Sequence, residues 1–90
     1  MKQVAIVEQD GRVFLIFEGD GVFWAVESEY VSPIFPHGFA LHKALKRDSL
    51  EEAKLAVKVR CGIEKIMQET GQNFLCAMID YIEQLREGGL

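Results

Sequence analysis

Three pairs of side chains in this sequence have types that could do chemistry: Cys61 and Cys76, His37 and His42, and Glu27 and Glu29. Two cysteines could close a disulfide or share a metal ion. If the segments carrying them form a helical hairpin turning near residues 71 and 72, Cys76 lies level with about Met67, and Cys61 is then about 9 Å further along the axis at about 1.5 Å per residue. A disulfide needs α-carbons within about 7 Å, so both cysteines read as small buried apolar groups. The histidines stand five apart with no Cys-x-x-Cys or His-x-x-x-His beside them, which is not a metal-ligand spacing. Glu27 and Glu29, two apart at a strand end, share one side of the chain and could face a cation, but such a pair is more often a solvated edge. The sequence has no Gly-x-Ser-x-Gly and no glycine-rich phosphate loop. The chain is therefore expected to be no enzyme, with no catalytic residue, no metal site and no cofactor. Gly88-Gly89-Leu90 reads as a helix stop.

Charge offers a second kind of chemistry. The net charge is −4, but residues 36–68 are basic while both flanking segments are acidic. Lys54, Lys58 and Lys65 fall within about 40° of one another on a helix, and Lys43, Lys46 and Arg47 come just before them. Such a stripe could meet the phosphates of a nucleic acid or the carboxylates of an acidic protein. No aromatics are interleaved for base stacking and the chain is acidic overall, so a nucleic-acid-associated regulator is the alternative function and not the leading one.

The leading candidate is apolar. Ile34, Phe35 and Phe39 lie within six residues of a segment punctuated by Pro33, Pro36 and Gly38. Proline excludes this segment from a helix interior or a central strand, so it must run over the surface. Its large side chains either fold back onto the molecule's own core or stand outward as a preorganised partner-binding finger.

The elements that must position these groups begin with three apolar runs at 4–7, 13–17 and 22–26, separated by Asp10-Gly11 and by Gly19-Asp20-Gly21. Asp-Gly supplies the positive φ angles of a tight hairpin turn, so the first third reads as a three-stranded antiparallel meander. A turn at Asp10-Gly11 pairs Val7 with Phe14, and one at Gly19-Asp20 pairs Ile16 with Phe23. Alternation then places Ala5, Val7, Phe14, Ile16, Phe23 and Ala25 on one face. Val4, Ile6, Val13, Leu15, Phe17, Val22, Trp24 and Val26 occupy the other. Both faces are apolar, whereas a meander with one wet face would alternate, so both need cover.

Further on, a short helix is expected over 39–46, where Ala40 and Ala44, and Leu41 and Leu45, recur at i, i+4. Ser49-Leu50-Glu51-Glu52 is a capping box opening a long helix that Gly71 ends. Leu55, Ala56, Val59, Ile63, Ile66 and Met67 make its main apolar stripe, and Leu50, Val57 and Cys61 a second one. Asn73 caps a further helix whose Phe74, Leu75, Met78, Ile79, Ile82 and Leu85 are expected to face inward. The fold class is α+β: a three-stranded meander, a loop, then an antiparallel helix hairpin, in a single domain spanning 1–90. A chain of this length has little left over for the second sheet face, so a second copy is expected to cover it, with Trp24 and Val57 at the dimer interface.

Apolar residues make up 49% of the chain, and 29 of its 90 residues are Val, Leu, Ile or Phe. That is too many for a disordered chain. No uninterrupted apolar run exceeds six residues, against the roughly 20 a membrane-spanning helix needs. The opening Met1-Lys2-Gln3 leads straight into a four-residue apolar run with no signal-peptide core, which points to the cytoplasm. The expected function is a small regulatory, protein-binding homodimer that presents an apolar surface or loop to a macromolecular partner.

Overall fold

A computed structural model of the chain describes residues 1–87, which form an α+β arrangement of four strands followed by two helices. The chain divides into two compact units, Met1–Lys58 and Val59–Leu90.

In the first unit β1 (Lys2–Gln9), β2 (Arg12–Gly19), β3 (Val22–Glu27) and β4 (Leu45–Arg47) form one antiparallel sheet in sequence order. Both hairpin turns are Asp-Gly pairs with positive φ at each residue: 53° and 76° at Asp10 and Gly11, 54° and 77° at Asp20 and Gly21. This is the type I′ geometry, whose twist matches that of the strands it joins. The second turn is therefore Asp20-Gly21 and not Gly19-Asp20, because only the former places glycine at the second positive-φ position. Ile16 consequently pairs with Ala25 instead of Phe23, a shift of two residues. An even shift preserves the faces, and Phe14, Ile16 and Ala25 are buried on one of them. On β1 the register slips between Gln3 and Ala5, so Gln3 rather than Val4 stands opposite Phe17. Val4 is the extra residue of a bulge.

The helix expected over 39–46 is absent. One 3-10 turn spans Leu41–Lys43, Ala44 is extended, and Leu45–Arg47 extends the sheet along β3, pairing Ala25 with Leu45, Trp24 with Lys46 and Phe23 with Arg47. The i, i+4 apolar repeat loses here to backbone pairing, because the open edge of β3 offers hydrogen bonds that a single helical turn cannot match.

Helix α1 (Leu50–Thr70) starts as its capping box requires: the Glu52 amide donates to Ser49 Oγ at 3.1 Å. The part of α1 inside the first unit buries Ala53, Ala56 and Val57. In the second unit the rest of α1 packs against α2 (Phe74–Arg86) around Ile63, Ile66, Ala77 and Tyr81, with Val59, Met67 and Met78 partly buried beside them. The helices approach closely at Gly62, where a Cβ would clash with the Tyr81 ring. Gly71 (φ 73°) ends α1, and Asn73 Oδ1 accepts from the Cys76 amide at 3.0 Å to open α2. The diglycine at 88–89 lies outside the described residues.

Candidate interaction surface

The loop at 31–39 is a narrow hairpin held by its own backbone. Val31 and Phe39 form an antiparallel bridge, Ser32 N donates to Gly38 O at 2.9 Å, and Gly38 N returns to Phe35 O at 3.0 Å. Below the bridge Ala40 N donates to Tyr30 O at 2.9 Å, and toward the tip Phe35 N donates to Ser32 O at 3.2 Å. Two prolines and four loop-spanning bonds make the tip a shaped feature with little ordering left to do on binding.

Its three expected anchors have three different fates. Phe39 at the root is 1% exposed and stacks on Phe17 with ring centroids 4.9 Å apart, and Trp24 lies 6.3 Å from it at a tilt. As an outward anchor Phe39 is thus a misassignment: it fills the bare sheet face carrying Phe17 and Trp24, where burial of a large aromatic is more favourable than exposure. Phe35 is half-buried. Ile34, at the tip between Pro33 and Phe35, is 82% exposed. The loop accordingly combines the two alternatives, with a root folded onto the core and a tip left outside.

Of the two expected dimer-interface residues, Val57 is corrected by the packing. Val57 is wholly buried within the chain, so it presents nothing to a second copy. Trp24 is half-buried, with Phe39 against it and Lys46 Nζ 5.5 Å from its ring centroid. Phe39 and Lys46 thus cover part of the Trp24 ring. Trp24 Nε1 is buried without a hydrogen-bond partner.

The six expected cationic contacts are all exposed. Lys43 Nζ lies 5.2 Å from the Tyr30 ring centroid, and Arg47 Nη1 donates to Lys46 O at 2.6 Å. Lys43 and Lys46 thus flank the root of the loop, their heads over aromatic faces in an arrangement that tethers cations without neutralising them, whereas Arg47 pairs with Phe23 and alternates to the other sheet face. Lys54 and Lys58 belong to the first unit and Lys65 to the second.

On the opposite sheet face Arg12 grips Glu27 through two bonds, Nε to Oε2 at 2.9 Å and Nη2 to Oε1 at 2.7 Å. That bidentate contact holds the Glu27 carboxyl below its ordinary pKa of 4.5. Glu27 is therefore a structural partner of Arg12 and not half of a cation site with Glu29. Glu29 instead raises the Tyr30 hydroxyl above its ordinary value through its nearby negative charge. Cys61 is buried as expected, whereas Cys76 is exposed in the first turn of α2. No cluster of three or more His, Cys, Asp or Glu that could hold a metal occurs among the described residues, and none of their helices is long and apolar enough to cross a membrane.

Sequence reasoning missed the outer face of α2. Phe74, Leu75, Ile79, Ile82 and Leu85 were expected inside, yet each is 41–61% exposed, and α2 buries only Ala77 and Tyr81. The helical period gave the apolar arc correctly, but small Ala77 and the one large ring of Tyr81 face α1, because Gly62 admits that ring.

No protein-family model matches the chain, and no curated protein or solved structure is significantly similar to it.

Proposed function

We propose that this chain is a small non-enzymatic protein-binding module, acting as a homodimer, that presents the tip of the 31–39 loop to an apolar pocket on a protein partner. The observation that carries the reading is Ile34, a large aliphatic side chain 82% exposed at the end of a hydrogen-bonded, proline-flanked hairpin. A surface isoleucine is unremarkable when scattered. This one stands on a rigid support whose root is fixed by Phe39 against Phe17. Preorganisation of that kind lowers the entropy cost of binding, and a single well-placed apolar anchor commonly carries much of an interface. Lys43 and Lys46 beside the root would add electrostatic attraction toward an acidic rim.

The test is affinity capture with the wild type and with Ile34→Ser, followed by purification of whatever the wild type retains and direct binding measurements. Ile34→Ser is expected to melt within a few degrees of the wild type and to lose the captured protein. Equal capture by both variants would refute the role given to the loop tip. Tight duplex binding that weakens with salt at a log–log slope near −0.9 per phosphate contact would favour the nucleic-acid alternative instead.

A further inference from the structure

The homodimer in the reading above needs a surface, and Val57, wholly buried within the chain, does not supply it. We infer that the outer face of α2 is that surface, and that its occupant is α2 of a second copy, lying antiparallel to the first. The inference rests on the homodimer reading and adds which residues meet.

Leu75, Met78, Ile82 and Leu85 follow the 3-4-3 spacing of a coiled-coil seam, with Ile79 and Phe74 on its flanks. A 3-4-3 series reads the same in both directions. Turning a second helix end for end about position 80 therefore sets Leu75 against Leu85 of the partner subunit and Met78 against Ile82 of the partner subunit. The same two layers repeat on the other side of the axis. This is the self-complementarity a two-fold interface demands. Met78, partly buried beside the hairpin core, is unbranched and can serve both contacts.

Charge supports the same occupant. By the 100° per residue rule, Asp80, Glu83 and Glu87 project away from the seam, and Arg86 lies on its flank beside Leu75; an antiparallel pair sets the two Arg86 side chains at opposite ends, so two copies can meet without bringing like charges together. Area points the same way. The five exposed side chains present about 400 Å² of apolar surface per copy, within the range of the largest patch an ordinary monomer leaves in water, a patch that is often functional. Two such faces with their flanks approach the roughly 1,000 Å² at which specific association begins. The second unit's own buried cluster is only Ile63, Ile66, Ala77 and Tyr81, a small core for a helix pair, and pairing two hairpins produces the four-helix arrangement such pairs commonly adopt.

The experiment is sedimentation equilibrium of the full chain at about 5–100 μM, a range spanning ordinary dimer affinities, comparing the wild type with Leu75→Glu/Ile82→Glu and with Ile34→Ser. The wild type and Ile34→Ser should sediment at twice 10.2 kDa, and the double glutamate variant at the monomer mass with an unchanged far-UV spectrum. Should the glutamates prevent folding, Leu75→Ser/Ile82→Ser decides, with its dissociation constant expected to rise at least about tenfold. A wild-type monomer throughout would overturn both the homodimer and the seam. A wild-type dimer that the α2 variants leave intact would overturn the seam alone and leave the homodimer standing.

Discussion

Replacing Gly62 by alanine puts two well-known effects in opposition. Gly62 lies in the middle of α1, where glycine is about 1 kcal/mol worse than alanine, so on propensity alone Gly62→Ala should stabilise the protein. The structure reverses that expectation. The new methyl group would clash with Tyr81 Cε2 and lie 2.9 Å from Cδ2 and 3.1 Å from Cζ, all of them atoms of a ring that is 7% exposed and packed among Ile63, Ile66 and Ala77. The ring cannot retreat without opening the hairpin's core, so the overpacking cost is at the upper end of the usual range, about 2–3 kcal/mol. The net effect is a loss of about 1–2 kcal/mol, which for a domain of this size lowers Tm by about 4–16 °C. Urea denaturation followed by circular dichroism measures it. The decisive control is the same substitution in a Tyr81→Ala background: with the ring gone, Gly62→Ala should become stabilising by about 1 kcal/mol, a coupling visible in a double-mutant cycle. Stabilisation of the Tyr81 protein by Gly62→Ala, or the same effect in both backgrounds, would refute the close-approach argument.

Two further substitutions test the packing and the electrostatics. Phe39→Ala removes the ring that covers Phe17 and should cost about 3–5 kcal/mol, seen as a large Tm drop; a drop of only a few degrees would show that the loop root is not core. Glu27→Gln should cost about 1 kcal/mol at pH 7, since the pair is only partly buried. Because Arg12 lowers the folded-state pKa of Glu27, its contribution is complete above the ordinary value of 4.5 and fades as pH falls through the lower folded value. The stability difference between wild type and Glu27→Gln should therefore shrink below pH 4.5, and a difference independent of pH down to strong acid would contradict the ion pair.

The sheet was legible because its turns are. Asp10-Gly11 and Asp20-Gly21 declare two type I′ hairpins outright; the β2–β3 register read from the sequence is two residues off because an extra glycine at 19 offers a competing turn, and the bulge at Val4 has no local signal. Alternation still assigned the faces correctly, since the side-chain period is two. β4 was hidden because Leu45-Lys46-Arg47 has neither β-branched residues nor alternation to mark it. It is a strand only because β3 has a free edge. The helix caps at Ser49 and Asn73 were readable from single side chains. What a helical pattern cannot say is which part of an apolar arc meets its neighbour, and α2 shows this: Gly62 selects Tyr81 for the interior and leaves Leu75, Ile79 and Ile82 outside. The fate of the loop was open for a related reason. Proline spacing places Ile34, Phe35 and Phe39 on a surface turn, but the long-range contact with Phe17 that takes Phe39 inward has no local signal.

The loop-tip claim meets its most direct test in one titration series with the protein recovered on the wild-type chain. Its dissociation constant is measured by calorimetry against wild type, Ile34→Ser and Lys54→Glu/Lys58→Glu, each at two salt concentrations. The account predicts that Ile34→Ser weakens binding by more than about tenfold, as loss of a buried anchor should. The lysine variant should stay within about threefold, with a shallow salt dependence. Undiminished binding by Ile34→Ser, with steep salt dependence and loss of binding in the lysine variant, would contradict the account and move the interaction surface to α1.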